Sequence, residues 1–440
     1  MKALNHLYIK ISVCAAFFFG LTSTIQAQEL TLEEVTTSAL EYSRSIKNGN
    51  LRAEQAALIK REAVAKYFPE VEAMAFGVYG FENLIPPITG ILPNGIDNFY
   101  GISATASQVV YAGGKVNLAN DLAQLQADSR LIGAEESRDS VLLNVESKFW
   151  QLIKIQEQQE VIASSKIYLN ELLKQQTDLL EAGLIAKSQL LRVKVEKSGL
   201  LLKQNDLNNK RKIALLDLAL YAGINYDTTL VAIKGIHEKI TPPQLKYKNP
   251  ELDLQNNNKY RLLQHQLDAA ELQVKNEKAD LLPKFAVGFS AAKFDSFNTD
   301  LGIDVQPIAF GTLSIPISAW WSGEKRQVEE RQIAVTIAEN KLKDGEDQLT
   351  LGIMKSWYDL QNAYKQIQYA EDRVLYAQEN LKSQKDNYDS GLNNLTDLLD
   401  ARSTQEEAKA ALVSAYADYE VKEAMYLYST NQLQDTFTEN

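Results

Sequence analysis

Tyr388-Asp389-Ser390-Gly391-Leu392-Asn393-Asn394-Leu395-Thr396-Asp397-Leu398-Leu399-Asp400-Ala401 is the junction whose reading decides the fold. Upstream of it, Ile353, Trp357, Leu360, Tyr364, Ile367, Val374, Leu381 and Tyr388 recur at steps of three, four or seven, the seam of a coiled coil. Downstream, Ala401, Ala408, Leu412, Ala415 and Tyr419 continue a similar seam, and its small residues let helices approach closely. Gly391 lies between the two seams, where a helix can end in a left-handed glycine. The junction therefore predicts a very long helix over 324–390, a tight turn and a return helix over 396–428.

The same design occurs earlier in the chain. Glu181-Ala182-Gly183-Leu184 matches Asp389-Ser390-Gly391-Leu392, and Phe149-Trp150-Gln151-Leu152 matches Ser356-Trp357-Tyr358-Asp359-Leu360. Tyr67-Phe68-Pro69 matches Leu281-Leu282-Pro283, and Gln108–Gly114 matches Pro316–Gly323 with one insertion. The pairs keep their order at a spacing of roughly 210 residues, which indicates tandem duplication. Between 115 and 182 there is no proline and one interior glycine, Gly133. A helix of that length spans on the order of 100 Å. Each copy also opens with a helix, 31–67 and 251–282, that stops before a proline. Thr31 with Glu34 forms a capping box for the first.

Between these helices lie short segments that alternate with period two. Tyr100, Ile102, Ala104 and Ala106 form one apolar face; Gly101, Ser103, Thr105 and Ser107 form a small, polar one. Segments 71–81, 285–294 and 308–317 are the other candidate strands, joined by the proline- and glycine-rich loop 83–98 and by its partner 295–307. The division expected is a signal peptide 1–27, a first repeat 28–224 with a hairpin over about 70–111, a connector 225–250, a second repeat 251–429 with a hairpin over about 284–318, and a tail 430–440.

The first 27 residues carry Lys2 and Lys10, an apolar run over 11–21 and a small residue at Ala27, the plan of a secretory signal. That run is too short to span a bilayer as a helix. With the signal go the only cysteine, Cys14, and two positive charges, leaving a chain more negative than the −11 of the full sequence. Such a chain has no disulfide and no basic cluster, and is a poor ligand for nucleic acid. No other stretch is apolar enough for a spanning helix, so a membrane location would require a β-barrel. Two hairpins give about four strands, too few to close one, so the barrel would be shared among copies. Aromatic residues sit at both ends of the strands, Tyr111, Trp320 and Trp321 toward the helices and Tyr79 and Phe99 toward the loops, as in the interfacial girdles of membrane barrels.

At this point the sequence resembles the TolC family of outer-membrane efflux proteins. The resemblance covers nearly all the mature chain. It rests on the tandem repeat, on the prolines that end each repeat's first helix, on Gly113-Gly114 and Ser322-Gly323, and above all on Tyr388-x-x-Gly391 followed by Asp397-Leu398-Leu399-Asp400-Ala401. It implies a mainly α chain with membrane β-strands: a homotrimer with a twelve-stranded β-barrel fused to a long α-helical coiled-coil barrel. Such a duct stands in outer-membrane lipid with its tunnel in the periplasm. It meets a periplasmic adaptor (membrane fusion) protein and an inner-membrane pump of RND or ABC type, in efflux or type I secretion. The matching aspartates of the family line the periplasmic aperture, which assigns Asp397, Asp400 and Tyr388 to it. Gly183, Leu184, Gly391 and Leu392 match the tips on which adaptor hairpins dock. The family's closing arginine and its aspartate partner are replaced here by Asn393 and Gln189.

Other chemistry finds no support in the sequence. His237 and His265 are isolated, Gly113-Gly114-Lys115 lacks the rest of a phosphate loop, and no catalytic constellation or cofactor motif converges. Met74, Met354 and Met425 form no soft-metal relay. Thr396 or Asp397 could also serve simply as a helix cap. A coiled-coil protein of the periplasm or cell surface, without a pore, is the competing reading; in it the alternating segments would pack against an internal partner.

Overall fold

The computed structural model describes residues 29–233, 240–247, 250, 254–297, 304–321 and 323–434. The signal segment, His237 and Ser322 lie outside the described residues. Strand β1 (Glu29–Leu30) pairs in parallel with β4 (Val231–Ala232), tying the start of the first repeat to the connector. Helix α1 (Leu32–Tyr42) starts at the capping box: the Glu34 amide donates to the Thr31 hydroxyl at 3.2 Å and the Thr31 amide donates to the Glu34 carboxylate at 3.1 Å. The expected single helix over 31–67 is divided. Ser43 leaves the helical region (φ −52°, ψ 120°), and its hydroxyl accepts from the Ile46 amide to start α2 (Arg44–Ala65).

Strands β2 (Glu70–Tyr79) and β3 (Asn98–Ala112) follow, then α3 (Lys115–Glu181) and α4 (Lys187–Ala222). After the short α5 (Pro243–Lys246), the second repeat opens with α6 (Asn258–Ala279), capped by the Asn257 carboxamide oxygen, which accepts from the Lys259 and Tyr260 amides. Strands β5 (Lys284–Asp295) and β6 (Gln306–Ser314) lead through a 3-10 turn (Ile317–Trp320) to α7 (Gly323–Asp389) and α8 (Leu395–Ser429). The last strand stops short of Ile317 because Pro316 has no amide hydrogen for the ladder. Helices α3 and α7 have the same length, 67 residues.

The four strands form one antiparallel sheet in the order β2-β3-β5-β6. Its two faces differ. Ile102 pairs across the ladder with Ala75 and Lys293, Ala104 with Ala73 and Ala291, and Ala106 with Val71 and Phe289, giving a face that is apolar except at its loop end, where Lys293 pairs with Asp295 at 3.7 Å. Thr105 pairs with Glu72 and Ser290, and Ser107 with Glu70, giving a more polar face, on which Ile308 and Phe310 of β6 lie beside Ser290 and Gly288. The Thr105 and Ser290 hydroxyls hydrogen-bond across the strands at 3.0 Å. A bulge between Val109 and Tyr111 inserts Val110 and returns Tyr111 to the apolar face, opposite Phe285.

The main core lies midway along the long helices. Val145, Phe149, Trp150 and Leu152 of α3, Leu215 and Leu218 of α4, Leu360 of α7 and Tyr419 of α8 are buried together there. Each such side chain contributes about 1.5–3 kcal/mol by leaving water. A second cluster joins the same four helices nearer their far end, through Leu169 and Leu172 of α3, Val193 and Leu200 of α4, Leu395 and Leu398 of α8, and the partly buried Leu381 and Tyr388 of α7. Phe149 is fully buried in the first cluster. Phe149→Ala is therefore expected to destabilise the protein by about 3–5 kcal/mol, read as a lower urea midpoint at unchanged slope.

Candidate aperture, helix tips and sheet girdles

Both helical hairpins reverse through the same backbone motif. The Gly183 amide donates to the Leu180 carbonyl (3.0 Å) and the Leu184 amide to the Leu179 carbonyl (2.9 Å). At the other tip the Gly391 amide donates to Tyr388 (3.0 Å) and the Leu392 amide to Asn387 (2.8 Å). Both glycines sit at φ +74°, so each hairpin ends in a Schellman turn. A side chain added at either glycine would meet no atom within 4 Å, so the turn conformation, not crowding, requires glycine. The apolar contact that usually closes such a turn is missing: Leu184 and Leu392 stand 71% and 76% exposed.

The cap of α8 is neither Thr396 nor Asp397. It is Asn394, whose carboxamide oxygen accepts from the Thr396 amide (2.8 Å) and the Asp397 amide (3.1 Å). The carboxylates are thus left free of capping. Asp397 and Asp400 are three residues apart on one exposed face, while Leu395, Leu398 and Leu399 turn into the tip core. Among the described residues neither carboxylate has an ion pair.

Tyr388 ties the two hairpins together. Its hydroxyl accepts from the side-chain amide of Gln176 on α3 at 2.8 Å, and Gln176 is fully buried. The Gln176 carboxamide oxygen has no hydrogen-bond partner among the described residues. Asn393 donates to the side chain of Gln384 on α7, and Gln189 makes no side-chain hydrogen bond among the described residues. The link at this tip is therefore an uncharged amide–phenol hydrogen bond. Gln176 was missed by the motif reading, although it interrupts an otherwise apolar seam (Leu169, Leu172, Gln176) at heptad spacing. One charged cluster lies behind the tip. Arg402 is buried over the Tyr168 ring (5.4 Å to its centre) and pairs with Glu406 at 3.6 Å, which Lys203 also reaches at 3.1 Å. Burial pulls the Arg402 pKa down, against the opposing pull of Glu406.

At the opposite end of the chain, Tyr79 and Tyr111 lie on the apolar face of the sheet, with Tyr100 and Phe285 beside them. Trp320 donates its indole N–H to the Leu281 carbonyl at 3.0 Å, and Trp321 follows it, 70% exposed. Phe99 departs from the expected girdle. Strand alternation puts it on the face of Ser103 and Thr105, opposite Val78, where it packs edge-on against Phe76. His265 shares a hydrogen bond with Ser129 (2.9 Å), and among the described residues no cluster of His, Cys, Asp and Glu could hold a metal ion.

Long paired helical hairpins joined to a small four-stranded sheet make up this fold, and solved structures of outer-membrane channels share it. The outer membrane protein VceC of Vibrio cholerae matches with a TM-score of 0.78 at 15% identity, over 91% of this chain and 95% of that one. The open state of the MtrE outer membrane channel of Neisseria gonorrhoeae matches at 0.77 and 14%, over 94% of each chain. The CmeC outer membrane channel of Campylobacter jejuni matches at 0.76 and 16%, over 91% and 86%. Residues 249–425, a span that falls almost wholly in the second repeat, match the family model of the outer membrane efflux protein. No curated protein sequence matches the chain.

Asn394→Ala is expected to cost about 0.5–2 kcal/mol of local helix stability. Amide hydrogen exchange at Thr396 and Asp397 should speed up accordingly, whereas Thr396→Ala should leave the Asp397 amide protected.

Proposed function

We propose that this chain is one protomer of a homotrimeric exit duct in the outer membrane, passing small molecules or exported polypeptide outward from a pump and adaptor. The observation that carries this is the sheet. It has one mainly apolar and one more polar face, and among the described residues its outer strands are each paired on one side alone, β2 with β3 and β6 with β5. Open edges are costly in lipid, where no water satisfies the backbone. Pairing β6 of one copy with β2 of the next removes them, and three copies give the twelve strands of the family.

In such a barrel the Ile102 face meets lipid and the Glu72 face meets water. Tyr100 and Tyr111 on the lipid face are about ten residues apart, and at ~3.3 Å per residue with a tilt of about 45° they bracket a band of roughly 25 Å. The pore-free coiled-coil reading requires that face to be covered. Instead Val71 and Ile102 are 72% and 57% exposed. At the far end, Asp397 and Asp400 from three copies form rings of like charge around the periplasmic opening, which favour cations and bind multivalent ones. The neighbouring tips, Gly183-Leu184 and Gly391-Leu392, offer an accessible backbone and an exposed leucine to an adaptor.

Planar-bilayer recording tests the duct. Purified protein is expected to give discrete channels whose cation preference and multivalent-cation block fall in Asp397→Asn plus Asp400→Asn. Folded protein that never inserts would defeat the proposal; channels indifferent to both substitutions would remove the aspartates from the aperture. The face assignment is tested by Ile102→Arg, expected to cost assembly about 2–4 kcal/mol, against Ser103→Arg, expected to assemble and change conductance. Equal behaviour of the two variants would mean that the faces are wrongly assigned.

A further inference from the structure

The face of the sheet with Glu70, Glu72, Ser103, Thr105, Ser107 and Ser290 is polar along its middle strands, with Met74 of β2 and Ile308 and Phe310 of β6 as apolar positions on the outer ones. Its loop end is apolar across β2, β3 and β5. Cross-strand pairing sets Phe76, Gly101 and Phe294 in one row, with Val78 and Phe99 in the next. The Phe76 ring lies 5.9 Å from Phe99 at 87° and 6.2 Å from Phe294 at 55°. Gly101 makes the room for them: a Cβ there would come within 2.5 Å of the Phe76 ring and 2.9 Å of the Phe294 ring. Covering a strand glycine with an aromatic ring is a structural device in its own right. It does not account for all of this arrangement, because Phe76 and Phe294 remain 41% and 43% exposed. Edge-on and tilted packing leaves ring faces open toward whatever fills the interior.

Aromatic ring faces carry negative partial charge and attract cations, and they also accept other aromatic groups. Among the described residues the charged groups on this face of the strands are Glu70, Glu72 and Lys284. All lie toward the helix end, and Lys284 is paired with Asp280 at 3.0 Å. No cation competes for the rings, and the carboxylates further down the same wall add attraction for positive charge. From this geometry we propose that Phe76, Phe99 and Phe294 form a low-affinity binding collar for aromatic cations, on the inner wall of the duct near its outer mouth. The inference rests on the duct reading given above.

The test is current block in planar bilayers by tetraphenylphosphonium, compared with the aliphatic cation tetraethylammonium. In the wild type the aromatic cation is expected to half-block at a concentration lower by about fivefold or more. Phe76→Leu plus Phe294→Leu keeps apolar bulk over Gly101 and removes the ring faces. It is expected to raise the half-blocking concentration of the aromatic cation about fivefold, with unitary conductance in potassium chloride and block by tetraethylammonium unchanged. Phe289→Leu, on the opposite face, is expected to leave block unaltered. If the double variant forms no channels, Phe99→Leu alone is read in its place, with the same shift expected in smaller degree. Equal block of the wild type by both cations, or block unchanged by loss of the rings, overturns the collar while leaving the duct intact. Folded wild-type protein that forms no channels overturns the duct reading and the collar with it.

Discussion

A helix of 67 residues must be held along its length by a neighbour. Its backbone hydrogen bonds barely exceed the entropy they cost in water, so the stability of α3 and α7 comes from the apolar seam each presents. The glycine turns supply the neighbour. By reversing the chain at Gly183 and Gly391 they lay α4 and α8 back along the same two helices, and the seams close in the Phe149–Leu360–Tyr419 core and again near the tips. The sheet at one end and the acidic tip at the other are held apart by that frame.

Much of this frame was legible in the sequence because it is periodic. Heptad steps, two glycines in matching contexts and a doubled motif order carry information that one chain displays by itself. The features that escaped it are single-residue events. Ser43 breaks the first helix by leaving helical dihedrals, and no periodicity announces a break one residue long. The Val110 bulge changes the face of Tyr111, so counting by twos from Ile102 puts that tyrosine on the wrong side. Phe99 was grouped with the girdle by its position along the strand, yet alternation turns it to the other face. The cap of α8 was sought at Thr396 or Asp397, one turn too far along; Asn394 has the better reach to both amides. In the candidate site, Asp397 and Asp400 were visible as a motif, whereas Gln176 became visible only once α3 and α7 were side by side.

The two ends of the frame solve different physical problems. At the tip, charge stays on the outside: the carboxylates of Asp397 and Asp400 are solvated, and the interior link between hairpins is the neutral Gln176–Tyr388 hydrogen bond. A buried ion pair there would bring a desolvation cost that excellent geometry must offset. The uncharged link avoids it and holds the hairpins with a contact of modest net strength. Among the described residues the Gln176 carboxamide oxygen keeps no partner. Separating a neutral contact of this kind exposes no bare charge to the interior.

At the sheet, the constraint is the reverse. Every backbone group must be paired, and the side chains sort by face. One face carries Glu70 and Glu72 among small polar residues, and the other sets small alanines between aromatic ends, the sorting that a water-facing and a lipid-facing side would require. Four strands meet the side-chain requirement but cannot meet the backbone one, since β2 and β6 remain at the edges. Each chain therefore carries a complete pattern of faces on an incomplete ladder. Strands with matching length, tilt and facing would supply the missing ladder bonds, and another copy of the same chain offers all three at once. That is the physical ground for proposing a symmetric duct, in which the helical frame would carry the acidic tips around a common axis.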